Sequence, residues 1–89
     1  MQLLRKRIDE AEEILKPAID IFAKDNPSDY HYSAALSAYG DIKMVRGELE
    51  EACKYFELAL KEIEHHMGKN KFYEIVEDNL FSVKKMMGK

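Results

Sequence analysis

GELEEACKYFELAL, residues 47–60, is the stretch whose reading decides the fold. Gly47 stands five residues before Ala52, Phe56 follows four residues later, and Ala59 three after that. On a helix, Ala52, Phe56 and Ala59 fall on one stripe. Two of the three are small, where an ordinary core-facing stripe would use Leu and Ile throughout. Small residues at fixed places imply that another helix backbone comes close. The contact is either a single one or one unit of a repeat.

Working outward, apolar residues recur at spacings of three and four nearly everywhere, and no segment sustains two-residue alternation. The expectation is an all-α chain. The first helix is predicted from about Leu3 to Lys24, with the stripe Leu4, Ile8, Ala11, Leu15, Ala18 and Phe22. Pro17 inside it removes a backbone hydrogen bond and meets the carbonyl of Glu13, which predicts a kink or two short helices. The second runs from about Pro27 to Arg46. Asn26 serves as cap, Pro27 as first helical residue, Asp29 lies at the positive end of the dipole, and Gly47 is the C-cap. The third spans about Leu49 to His66, ending near Gly68. The fourth spans about Lys71 to Met87, ending at Gly88. Short connections predict antiparallel neighbours.

Sliding the chain against itself by 41 positions resolves the choice in favour of a repeat. Ala11 meets Ala52, Ala18 meets Ala59, Gly47 meets Gly88 and Tyr32 meets Tyr73. Leu15 meets Phe56, Ile19 meets Leu60, Tyr39 meets Leu80 and Ile42 meets Val83. The identities are few, but they sit at the small-residue and punctuation sites that geometry would constrain. A helix pair that cannot bury its apolar face alone stacks on the next pair, so the reading is a helix-pair solenoid.

Gly40, Gly47, Ala52, Phe56 and Ala59-Leu60 resemble the tetratricopeptide repeat, in which glycines mark helix A and the A–B turn. Helix B of that repeat carries Ala, an aromatic and Ala at this spacing. The usual period is about 34 residues. The longer offset here resembles the long-helix variety of kinesin light chains and many bacterial regulators. Asp78–Lys89 resembles another helix A, with Asn79-Leu80 early and Gly88 at the turn. The resemblance covers nearly the whole of residues 1–89, taken as one domain. It implies helix B of a first repeat, one full repeat and helix A of the next, about four helices in a right-handed stack that is either part of a longer array or covered at helix four by another copy. Two departures stand out. Lys43 and Lys84 replace a usual aromatic, which implies a slightly rotated helix A. Lys6 replaces the turn glycine, leaving the first helix without a helix A of its own.

The resemblance implies a binding scaffold, not an enzyme, with helix A residues lining an inner groove. That lining would include Ala34, Ser37, Asp41, Met44 and Val45, then Ile75, Asp78, Ser82, Lys85 and Met86. The residues taken as the partner site are Ser37, Asp41, Met44, Asp78, Ser82 and Lys85. Members that grip the C-terminal carboxylate of chaperones use Lys, Arg and Asn at such places, which Ser37 and Asp41 do not supply. Two acidic groups with flexible methionines suit a basic or amphipathic peptide instead.

Composition narrows the field further. The net charge is −3, from 14 basic and 17 acidic residues, with no basic stripe for nucleic acid. Arg5-Lys6-Arg7 is followed by Asp9, Glu10, Glu12 and Glu13 and reads as a solvated helix start. The single cysteine, Cys53, excludes an internal disulfide and fits a reducing compartment. No apolar run reaches the roughly 18 residues of a membrane span, and no secretory signal begins the chain. A cytoplasmic protein without a cofactor or metal is expected. His65-His66 project about 100° apart on a helix and read as a surface pair rather than as ligands. His31 reads as packed or exposed. Cys53 lies beside Glu50 and Glu57, the wrong surroundings for a reactive thiolate. The carboxylates of helices one and three read as a solvated face paired with Lys and Arg along each helix.

A second function is expected on other grounds. Tyr73, Val76, Leu80, Val83 and Met87 make one stripe of helix four, while Phe72, Phe81 and Met86 lie off it. A solenoid's terminal helix should be polar outside. The alternative to a peptide groove is therefore an assembly module, a homodimer through the apolar faces of the terminal helices.

Overall fold

The structure, a computed structural model, describes residues 2–25 and 30–88 of the chain. The side chain of Leu4 and the second-helix start at Asn26, Pro27 and Asp29 lie outside the described residues. Four helices are present: α1 (Gln2–Asp25), α2 (Tyr30–Val45), α3 (Leu49–Met67) and α4 (Lys71–Met86). No strand occurs among the described residues. The all-α expectation holds among the described residues, and the ends of α2, α3 and α4 and the starts of α3 and α4 fall within about a turn of those predicted. α1 does not divide at Pro17 but runs through it. Pro17 and Glu13 are both exposed, so the carbonyl that the proline leaves unpaired can be solvated.

Neighbouring helices pack antiparallel. Between α1 and α2, Phe22 stacks on His31, Glu12 meets Tyr39, and Asp9 meets Arg46 at the other end. Between α2 and α3, Tyr39 packs edge to face on Tyr55, and Lys43 reaches Glu51 and Glu48. α3 and α4 are joined through Gly68–Asn70, and at their far end the Cys53 thiol lies 3.8 Å from the Met87 sulfur. The chain forms a slab 37 × 30 × 19 Å, about two helix diameters thick.

The stripe Ala52, Phe56, Ala59 is completely buried, extended by Ile63. It packs between Leu36 of α2 and Val76, Leu80 and Val83 of α4. α2 touches α1, α3 and α4, so small residues suffice to bury it: Ser33, Ala35 and Ser37 are all inside. α1 has a helix on one side only. Its stripe residues Ile8, Ala11, Leu15, Ala18 and Phe22 are half-buried, and Ile14 and Ile21 are exposed. Phe72 joins the partly buried shell of the core, whereas Phe81 and Met86 remain exposed.

The 41-residue offset is visible in the backbone. α2 ends at Val45 and α4 at Met86, 41 residues apart. Each closes on a glycine in the left-handed region, Gly47 at φ 83° and Gly88 at φ 77°. The closing bonds correspond one to one. Arg46 N–H donates to the Ile42 carbonyl and Met87 N–H to that of Val83; Gly47 N–H donates to Met44 and Gly88 N–H to Lys85. A side chain at either glycine would strain the turn.

A cluster of charges ties α1, α2 and α3 together. The Lys43 ammonium lies 3.0 Å from Glu12, 3.1 Å from Glu48 and 3.3 Å from Glu51, with the Tyr39 ring 5.3 Å away. The Tyr39 hydroxyl donates to Glu12, which also accepts from Arg46, and Arg46 pairs with Asp9. These pairs run between helices, not along α1 and α3 as the spacing suggested. Burial disfavours the charge on Lys43, but its three carboxylates outweigh that and hold its pKa above the free value. Chiefly through its bond to Lys43, Glu12 is held below the ordinary carboxylate range.

Replacing Lys43 by Met keeps the apolar stem and removes the charge. The expected loss is about 1–2 kcal/mol at pH 7, more than an exposed pair contributes and less than a fully buried one. The lowered pKa of Glu12 contributes stability above about 4.5 that is lost as pH falls through the depressed value. The raised pKa of Lys43 contributes fully below 10.5, so the acid limb belongs to the carboxylates. Denaturant unfolding at pH 7 and pH 3 should therefore give a variant-to-parent gap that narrows in acid. A gap of equal size at both values would remove the electrostatic account.

Candidate functional site

The six residues expected to meet a partner occupy α2 and α4 in one register. Ser37 corresponds to Asp78, Asp41 to Ser82 and Met44 to Lys85, each pair 41 residues apart. Spacings of four and three place each trio along one side of its helix. α2 and α4 touch, so the two trios belong to adjacent helices.

Their environments differ because α2 is the more enclosed helix. Ser37 is buried, and Met44 is half-buried against the core. Asp41 is half-buried. Asp78, Ser82 and Lys85 are exposed. Ser37 thus contributes to packing between helices, while the accessible polar groups are Asp41 and the three on α4. Val45, Ile75 and Met86, which the resemblance put in the same lining, are 59%, 51% and 58% exposed and supply apolar surface beside them.

Asp41 is electrostatically distinct from the other carboxylates. Burial raises its pKa, and no ion pair opposes that shift among the described residues. Desolvation penalises the ionised carboxylate, and a nearby cation would offset the penalty.

Among the concavities that lie elsewhere on the described residues, two involve Cys53. One is formed by α3 alone, between Glu50, Cys53, Lys54, Glu57, Leu58 and Lys61. The other adds Lys84 and Met87 of α4 to Glu50, Cys53 and Glu57. Neither includes any of the six residues. Cys53 is half-buried there, and its thiol donates a weak hydrogen bond to the Met87 sulfur.

His65 and His66 are exposed at the end of α3, as the surface-pair reading expects, but their rings are arranged differently. The rings of His65 and His66 do not diverge but meet edge to face, with centroids 4.6 Å apart. His66 Nε2 lies 3.1 Å from Glu62 one turn back. Among the described residues no group of three potential ligands gathers around them or elsewhere. No helix among the described residues is long and apolar enough to cross a membrane.

The charge cluster around Lys43 is what the sequence reading missed. The available signal was Lys43 itself, a cation where the resembled repeat carries an aromatic. No protein-family model matches the chain, and no curated protein or solved structure matches it either.

Proposed function

We propose that this chain is a tetratricopeptide-like recognition module, a short right-handed solenoid that takes a basic or amphipathic peptide along α2 and α4. The observation that carries the reading is Asp41, a half-buried carboxylate with a raised pKa and no cation beside it among the described residues. A Lys or Arg of a bound peptide would supply that cation. Asp78 adds a second acidic contact on α4, and Val45, Ile75 and Met86 give apolar surface for the peptide's other face. The α2/α4 correspondence supports the solenoid, since a repeated helix A presents the same side at each step. In this reading the module is a cytoplasmic, non-catalytic scaffold.

The test is selection of a random peptide display library on the purified chain, with the Asp41→Lys/Asp78→Lys variant as counter-target. The expected outcome is a recurring basic or amphipathic motif, with at least about tenfold weaker binding to the variant. Losing two charge-assisted contacts corresponds to that factor or more. Selection of no motif, or of one that the variant binds equally, would overturn the groove.

A further inference from the structure

The outward side of α4 has a counterpart in α2 that is covered. Gly40 is buried against α3, and a Cβ there would meet the Phe56 ring at 2.8 Å. The residue 41 positions later is Phe81, which is 73% exposed. Leu36, fully buried in α2, corresponds to the exposed Glu77. The side of α4 that matches the α3-facing side of α2 thus has a projecting ring where α2 has a hollow. A helix seated as α3 is seated on α2 would collide with it, so this face suits a different occupant.

The charges on the face identify that occupant. Glu77 and Asp78 precede Phe81 by four and three residues, and Lys84 and Lys85 follow it by three and four. All five are exposed. At about 100° per residue they lie within roughly 60° of one line along the helix, with Phe81 at its centre. In an antiparallel pair of α4 helices, residues on the same flank and on opposite sides of Phe81 along the chain face each other. Glu77 then meets Lys84 of the second copy, Asp78 meets Lys85, and each pair recurs by symmetry. The two Phe81 rings meet on the axis. Such a patch is complementary to itself, as a two-fold interface requires.

We infer that α4 is a homodimerisation helix, pairing antiparallel with α4 of a second copy of this chain about a two-fold axis through Phe81. The inference does not rest on the peptide groove: the two share Asp78 and Lys85, but the groove's distinguishing residue, Asp41, lies on α2, and Glu77, Phe81 and Lys84 belong to the dimer face alone. One 16-residue helix pair is a small contact, below the roughly 800 Å² per partner of a standard interface, so the dimer forms in the micromolar range or weaker. Charge complementarity sets its register and orientation.

The deciding experiment is sedimentation equilibrium at concentrations from about 10 µM to about 1 mM, a range suited to a contact smaller than roughly 800 Å² per partner. Three variants accompany the parent: Phe81→Glu, Glu77→Lys/Asp78→Lys and Lys84→Glu/Lys85→Glu. The altered side chains are exposed, and unchanged far-ultraviolet dichroism checks the fold. The parent is expected to rise toward twice the monomer mass, and each variant alone to stay at monomer mass. Mixing the two charge-reversed variants is expected to restore the doubled mass, because every opposed pair again has opposite signs. A parent that stays monomeric throughout overturns the inference. So does a charge-reversed variant that still dimerises alone, or a mixture that does not recover.

Discussion

Truncating Phe56 to alanine is expected to lower the unfolding free energy by about 3–5 kcal/mol, the usual cost of removing a fully enclosed aromatic ring. Phe56 has no exposed surface and sits at the centre of the core cluster. A domain of this length has a total stability of only about 4–13 kcal/mol, so the loss is a large share of it. The distinctive result comes from combining it with Gly40→Ala. In the parent, the new methyl would stand 2.8 and 2.9 Å from two carbons of the Phe56 ring. Overpacking of that kind costs about 1–3 kcal/mol, against a gain of about 1 kcal/mol in helix propensity. Gly40→Ala alone should therefore destabilise the parent. In the Phe56→Ala background the ring is gone and only the propensity gain is left, so the same change should stabilise by up to about 1 kcal/mol. Phe56→Leu serves as background if Phe56→Ala does not fold. Urea unfolding of the four proteins measures the cycle. Simple additivity would refute the account of Gly40 as the hollow that receives Phe56.

Ala52→Leu is expected to cost about 1–3 kcal/mol by overpacking, a fall of about 4–8 °C in melting temperature for each kcal/mol. Ala52 has no exposed surface, so there is no room on α3 for the extra carbons. The repeat supplies an internal control. Ala11 occupies the equivalent place in α1 but is only half-buried, because α1 has a helix on one side only. Ala11→Leu should cost much less. A second control, Lys54→Leu on the exposed side of α3, should stay within about 0.5 kcal/mol of the parent. If thermal melts show Ala52→Leu as mild as the two controls, α3 is not held in close contact by its alanines.

The helices and their closing glycines were legible because both are local properties. Periodicity in three and four reports one buried side, and a glycine at a helix end reports one backbone conformation. Pro17 does not divide α1, because the carbonyl it orphans can reach water on the exposed side of that helix. The charge cluster was hidden for another reason. Lys43 finds Glu12 on one neighbouring helix and Glu51 on another, and no spacing along the chain encodes those meetings. The candidate site was half legible. The register joining Ser37, Asp41 and Met44 to Asp78, Ser82 and Lys85 can be read from the offset. That Ser37 is inside and Asp78 outside cannot, since it follows from how many helices surround each one.

The sequence by itself determined four helical segments, the small-residue stripe of α3 and a 41-residue correspondence between α2 and α4. Spacing along the chain carries all three. Only the tertiary structure decided that Gly40 receives Phe56 while its counterpart Phe81 projects into solvent, and that Asp41 is half-buried with no cation beside it among the described residues. Equivalent positions acquire different roles because α2 is enclosed by three helices and α4 is covered chiefly on its α3 side.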